Sequence, residues 1–298
     1  MAAKILVTGA TGSVGKALIN ELVEKGKEVR AAIHTPEKYD YIKTSGVEPV
    51  SLEFGDFATI DRALQDIESL FLITPIAREE VEFARRIVDR ARMWGVGHIV
   101  RLSMLNAEDI PGTQFTRWHR QAEYYIEESG IPYTFIRPNA YMQNFLRYVQ
   151  PSGSFIAMPL DNKKVSYIDV RDIGAVGAEV LIGGKDFFGR TLELTGPDPI
   201  TMDDVTDALS KEIRSHIGYI SIPEDIARHI FESIGTPDWM AEGLLELYAL
   251  QREEKNSIVT STVEDITGRK PQAFDKFARD YMNAFIAIVK HEHHSFLP

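Results

Sequence analysis

The chain has 298 residues, 44% hydrophobic and 26% charged, the balance of a globular protein with room for one substantial core and a smaller lobe. A formal net charge of −11 with no basic face argues against a nucleic-acid partner, and no apolar run approaches the roughly 20 residues that cross a bilayer. There are no cysteines, which excludes disulfides and thiolate chemistry; with no signal-peptide pattern in MAAKILVTGA, the expected location is the cytoplasm.

The first predicted element is a strand over Lys4–Thr8, followed at once by Gly9-Ala10-Thr11-Gly12-Ser13-Val14-Gly15 and a helix over Ser13–Lys25. A diphosphate needs bare backbone close to it and unpaired N–H groups aimed at it. Gly9 suits the tight turn, Gly12 the approach of backbone to phosphate, and Gly15 the close packing of helix on strand. Ser13 and Val14 offer amides from the first helical turn, and Thr11 lies between the glycines. A lone glycine triplet is a weak signal, but here it follows a strand and opens a helix at the head of an alternating pattern.

The second strand is predicted over Glu28–Ile33. A carboxylate about 20 residues past the glycines would favour NAD through the ribose 2′-hydroxyl. His34 stands there instead, with Lys38 close behind, so these two are the candidates for a 2′-phosphate and Arg30 a less well-placed third. The expected cofactor is therefore NADP(H), with NAD(H) as the alternative. Further strands are predicted over Pro49–Phe54, Ser69–Thr74, His98–Ser103 and Pro132–Arg137, and helices over Ala58–Gln65, Glu79–Trp94 and Thr113–Ser129. Short apolar strands alternating with helices predict an α/β fold, a doubly wound parallel Rossmann sheet. Asp56 and Phe57 after the third strand, and Thr74 and Pro75 after the fourth, fall at the carboxyl edge and are cofactor candidates, or simple turn residues.

After Arg137 the pattern loosens. Strands are predicted over Gly153–Met158, Val165–Ile168 and Arg190–Thr195, with helices over Asp169–Ile182, Thr201–Ser215, Pro223–Ser233, Pro237–Arg252 and Pro271–Lys290. The expected division is a Rossmann domain over 1–153 plus about 165–198, and a smaller, mainly helical C-terminal lobe on the substrate side over about 139–164 and 199–290. Tyr141, Phe145, Phe231, Trp239 and Tyr248 either wall an aromatic-accepting site or form core. His291, His293 and His294 lack a matching ligand elsewhere, so no metal is expected.

Short-chain dehydrogenases of this fold use Tyr-x-x-x-Lys on the helix after the fifth strand. Placed by the downstream Glu123, the tyrosine position holds Phe115 and the lysine position His119. The string Tyr39 to Lys43 lies after the second strand, far from the expected nicotinamide, and reads as coincidence. Phe115, His119 and Glu123 share one side of the helix. His119 and Glu123 are thus expected to pair, as a proton-delivering group or as a helix-steadying contact.

These segments resemble the NmrA-like branch of the atypical short-chain dehydrogenases. The resemblance rests on Gly9-Ala10-Thr11-Gly12-x-x-Gly15, Arg117-Trp118-His119-x-x-Ala122-Glu123, Ser129 to Asn139, Met142-Gln143-Asn144, Tyr167 to Asp172, and Val263 to Pro271, and covers essentially the whole chain. It implies an NAD(P)H-dependent quinone or triphenylmethane-dye reductase, or a catalytically silent redox sensor acting through a protein partner. It also implies that Ser103, Pro138, Asn139 and Tyr141 line the nicotinamide end of the site, with His119, Tyr141 and Asn139 as catalytic candidates. His34 departs from the arginine that the family's NADP binders often carry.

The missing tyrosine restricts the chemistry. Hydride delivery to a simple ketone makes an alkoxide whose conjugate acid has a pKa of about 16 and needs a positioned donor. Delivery to a quinone makes a phenolate with a pKa near about 10 that water can protonate later. The expected reaction is hydride transfer from NAD(P)H to a quinone-like or other conjugated aromatic acceptor, with positioning carrying most of the catalysis.

Overall fold

Short runs rich in Ile, Leu, Val and Ala, buried on both faces in the interior strands and part-exposed in the two edge strands, build a seven-stranded parallel sheet. Its strands are β1 (Ile5–Val7), β2 (Val29–Ile33), β3 (Val47–Ser51), β4 (Ser69–Leu72), β5 (His98–Leu102), β6 (Tyr133–Pro138) and β9 (Arg190–Leu194). Their spatial order is β3-β2-β1-β4-β5-β6-β9, the doubly wound order expected of a Rossmann sheet. The computed structural model describes residues 4–34, 46–109, 111–150 and 154–290. The chain divides into two compact units, Met1–Pro138 with Val170–Leu194 and Ser261–Arg269, and Asn139–Asp169 with Thr195–Thr260 and Lys270–Pro298.

In the first unit the crossover helices are α1 (Ser13–Glu24), α2 (Phe57–Leu64), α3 (Glu80–Met93), α4 (Gln114–Glu128) and α6 (Val170–Gly183). Helix α1 buries Val14, Gly15, Leu18, Ile19 and Leu22, one stripe at helical spacing. Helix α6 lies so close to α1 that a Cβ on Gly174 would sit 2.7 Å from the Ala17 carbonyl carbon. A short helix, α10 (Thr262–Thr267), which the sequence pattern did not predict, also packs in this unit; Gly268 ends it in the left-handed region. Register places Leu72 beside Arg101 and Arg101 beside Phe135. Paired residues of parallel strands share a face, so Leu72, Arg101 and Phe135 lie on one side of the sheet near its carboxyl edge.

At the opposite end of β5, His98 is buried and its Nε2 lies 2.9 Å from the Thr134 hydroxyl, which itself donates to the Phe187 carbonyl at 2.7 Å. That proton direction makes Nε2 the protonated nitrogen and leaves Nδ1 without a partner among the described residues. Burial lowers the imidazole pKa to about 4. The unfolded chain binds this proton near pH 6.5, so between those values it holds more proton than the fold, and stability falls as pH falls. We expect His98→Gln, which keeps a donor for Thr134, to lose about 2 kcal/mol less than the unaltered chain between pH 7.5 and 4.5. Urea midpoints at the two pH values measure the difference, and equal losses would remove His98 as the cause.

The second unit has a small sheet in the order β10-β8-β7, with β7 (Val149–Gln150) antiparallel and β10 (Gly218–Ser221) parallel to β8 (Phe155–Met158). Around it lie α5 (Phe145–Tyr148), α7 (Met202–Ile213), α8 (Glu224–Ser233), α9 (Asp238–Arg252), α11 (Phe274–Asp280) and α12 (Met282–Lys290). Thr201 caps α7 in a reciprocal box with Asp204. Three expectations change here. Val165–Ile168 is not a strand but makes two isolated bridges, Val165 to Ile200 and Ile168 to Tyr141. Gly218–Ser221 is a strand, its pairing with β8 supplying what four residues lack alone. The helix expected over Pro271–Lys290 is two, broken at Tyr281, where the Phe277 ring packs tilted against Tyr281 and also meets Phe285 in the core. Phe145, Phe274, Phe277 and Phe285 are wholly or nearly wholly buried, and Tyr248 and Phe231 belong to the same cluster. Phe145 and Tyr248 are core, the alternative to a site wall that the sequence left open.

Candidate functional site

Strand β1 ends in a turn built for an open helix mouth. The buried Thr8 hydroxyl accepts the Ile73 N–H at 2.7 Å and donates to the Ile73 carbonyl at 2.8 Å, stitching the turn to the end of β4. Gly9 adopts φ +61°, where a side chain is strained, and its carbonyl accepts the Gly12 N–H at 3.0 Å. At Gly15 an added Cβ would stand 2.3 Å from that carbonyl oxygen. Gly12 is the N-cap of α1 and supplies no side-chain cap, so Ser13 and Val14 begin the helix with no side chain over their amides. Gly9, Gly12 and Ser13 are exposed and Thr11 half-buried, so side chains do not pack this mouth shut. Backbone dipoles and free N–H groups here suit a diphosphate without any net positive charge.

The edge beyond β2 differs in detail from the sequence expectation. His34 is exposed, and its Nδ1 pairs with the Glu53 carboxylate from the segment after β3. Arg30 is buried and occupied: it donates to the Ala63 carbonyl at 3.1 Å and the Gln65 carbonyl at 2.6 Å, and pairs with Glu48. It is a structural residue. Lys38 and the Tyr39–Lys43 string lie outside the described residues. The Asp56 carboxylate accepts the Ala58 N–H at 2.8 Å and caps α2, the turn role rather than a free adenine contact. Phe57 is half exposed, with the Arg86 and Arg90 guanidiniums 5.6 and 5.8 Å from its ring centre.

The β4–β5–β6 edge carries buried charge. Thr74 and Pro75 follow β4, Pro75 exposed and the Thr74 hydroxyl bonded to both Arg101 and Glu80. Ser103, 2% exposed, has a hydroxyl without a partner among the described residues, and Pro138 is buried at the end of β6. On α4, Phe115 is buried. The two tyrosines of that helix serve elsewhere: Tyr124 is exposed beneath Arg120, and Tyr125 donates to Asp89 at 2.7 Å.

The expected His119–Glu123 pair does not form. Glu123, fully buried, receives Arg137 in a two-point contact at 2.9 and 2.6 Å. His119 instead has Nδ1 3.4 Å from Arg101 Nη2 and 3.5 Å from Glu80 Oε1. Burial holds the His119 imidazole below its ordinary pKa; Glu80 opposes this and Arg101 adds to it. The group is neutral at pH 7, a poor acid. The signal for this lay in Arg101 and Glu80, which no helical spacing connects to His119.

In the second unit Asn139 is likewise committed. Its Oδ1 accepts the Ala140 N–H at 2.8 Å and the Asn256 amide at 2.7 Å, while its Nδ2 donates to the Asn256 carbonyl at 2.8 Å. That reciprocal pair ties two distant segments together, which speaks against a catalytic amide. Tyr141 is half-buried, and burial raises its phenol pKa well above the usual value, so it stays protonated. No metal-binding cluster occurs among the described residues, and His291, His293 and His294 lie outside them. No described helix is long and apolar enough to cross a membrane.

A doubly wound parallel sheet with a glycine turn open at the first helix defines a dinucleotide-binding Rossmann protein. The chain belongs to the NmrA-like family, whose model matches residues 1–283. It is 30% identical over 285 residues to the NAD(P)H azoreductase of Xenophilus azovorans, covering 94% of this chain and 99% of that protein. It is 33% identical over 285 residues, with the same coverage of each, to the (4-alkanoyl-5-oxo-2,5-dihydrofuran-3-yl)methyl phosphate reductase of Streptomyces griseus. Its fold matches the NADPH-dependent quinone oxidoreductase of Escherichia coli in complex with NADPH, with a TM-score of 0.84 and 23% identity over 94% of this chain and 100% of that one.

Proposed function

We propose that this protein is an NAD(P)H-dependent oxidoreductase that passes hydride to a quinone-like or other conjugated aromatic acceptor, without a tyrosine–lysine proton donor pair. The observation that carries this reading is Phe115, buried at the tyrosine position of α4, with Tyr124 and Tyr125 of the same helix turned to other tasks. A phenyl ring cannot move a proton, so the acceptor must be one whose reduced form water can protonate. Reductases named for an azo compound and for a conjugated furanone among the relatives support the same class.

The residues present fit a nicotinamide dinucleotide. Amides of Thr11, Ser13 and Val14 would hold the diphosphate, Gly9, Gly12 and Gly15 keeping side chains out of its way. His34 would meet the adenosine ribose; it follows β2 directly, at a position where a carboxylate would favour NAD(H), and so favours NADP(H). Phe57 offers a ring face for adenine, and the unpartnered Ser103 hydroxyl and Pro138 lie on the nicotinamide side. When bound, the dinucleotide supplies the hydride. The chain positions it, and Tyr141, whose phenol stays protonated, is the remaining candidate to contact the acceptor.

Coenzyme oxidation with a panel of quinones, azo dyes and unconjugated ketones tests the reading. We expect turnover with conjugated acceptors, at least about 100-fold slower turnover with simple ketones, and a lower KM for NADPH than for NADH. Tight coenzyme binding with no turnover of any acceptor would instead favour a redox sensor that acts through a protein partner.

A further inference from the structure

Arg101 is fully buried near the carboxyl end of β5, and one guanidinium joins three elements. Nη1 donates to the Thr74 hydroxyl at 2.9 Å and Nη2 to Glu80 Oε1 at 2.7 Å. The same Glu80 oxygen accepts from Thr74 at 3.2 Å. Thr74 lies just past β4 and Glu80 opens α3, so Arg101 pins both ends of the 75–79 connection at the carboxyl edge. Nη2 also reaches His119 Nδ1 at 3.4 Å, and that side chain is 20% exposed. Stability gives little reason for such a network. A buried ion pair replaced whole by apolar groups of similar volume is often as stable or more so. Its specific product is a fixed geometry next to the expected coenzyme.

We propose that Arg101 is a positioning residue for the dinucleotide: with Glu80 it fixes the 75–79 connection and holds His119 as a neutral imidazole protonated on Nε2. This rests on the dinucleotide reading above. The tautomer follows from donors and acceptors. A guanidinium has only donors, so the nitrogen facing it must be bare. Glu80 Oε1, 3.5 Å from Nδ1, already accepts from Arg101 and Thr74 and has little capacity left for an Nδ1 proton. The charged groups acting on this imidazole are Glu80 from α3, Arg101 from β5 and Glu123 from its own helix; burial outweighs them and keeps it uncharged. His119 thereby offers a hydrogen-bond donor and no transferable acid, in keeping with an acceptor that needs none.

Two measurements on the full chain test this. Long-range proton–nitrogen spectra of the ligand-free protein should show His119 protonated on Nε2 and bare on Nδ1; protonation on Nδ1 overturns the proposal. NADPH fluorescence titration should show Kd raised about tenfold in Arg101→Met/Glu80→Gln, which removes both buried charges together. An unchanged Kd in that variant, folded by circular dichroism, overturns it. Should the pair fail to fold, Arg101→Lys carries the test, because an ammonium cannot reproduce the two-point contact, and an unchanged Kd there is equally decisive. If the unaltered chain binds no nicotinamide dinucleotide, the functional reading fails and the tautomer spectrum still judges the network.

Discussion

Gly15→Ala is expected to weaken NADPH binding by at least about 100-fold while leaving most of the fold in place. The added Cβ would stand 2.3 Å from the Gly9 carbonyl oxygen and 2.9 Å from the Ala10 Cα. Both are backbone atoms, so no rotamer change relieves the clash. The turn itself must move, yet Gly9 holds φ +61° and its carbonyl accepts the Gly12 amide. Shifting that oxygen opens the turn and misaligns the first amides of α1, the groups that would hold the diphosphate. Overpacking of this kind also destabilises by roughly 1–3 kcal/mol. Fluorescence titration with NADPH, alongside thermal melting, separates the two effects. A variant that melts normally and binds as tightly as the unaltered chain would show that the glycine turn does not grip the coenzyme.

Glu123→Gln should give the second large effect, this time on stability. Glu123 is fully buried and Arg137 3% exposed, joined through two short charge-assisted hydrogen bonds. Removing the carboxylate charge leaves a buried guanidinium facing a neutral amide, with only the mostly exposed Glu108 still beside it at 3.1 Å. Breaking one side of a buried pair costs about 3–5 kcal/mol, and Glu108 places the expectation near the lower end. Replacing both partners, as Glu123→Leu/Arg137→Met, should restore most of the loss, since it removes the orphaned charge along with its partner. Urea midpoints of the single and double variants decide the matter. A single variant within about 0.5 kcal/mol of the unaltered chain would mean that the pair is effectively solvated.

The glycine turn and the alternating strands were legible because both are local. A turn that must present backbone needs glycine wherever the chain is read, and a strand buried on both faces must be a short apolar run. The helix after β5 was legible too, including the phenyl ring at Phe115. What its neighbours did was not. His119 and Glu123 share a helical face, and spacing alone made them partners. Arg137 from β6 and Arg101 from β5 instead claimed Glu123 and Glu80. Asp56 and Asn139 show the same limit: each had the right chemistry for a ligand, and each was taken by a nearby backbone or amide group.

The amino-acid sequence by itself determined the sheet, the glycine turn and the helix α4 that follows β5, since these follow from steric freedom and hydrophobic period over a few residues. The tertiary structure alone decided the pairing of buried charges and the protonation of His119. Residues such as Glu80, Arg101 and His119 are 18 or more positions apart. A charge withdrawn from water takes whichever opposite group the packing brings within hydrogen-bond reach, and chain distance carries no record of that choice.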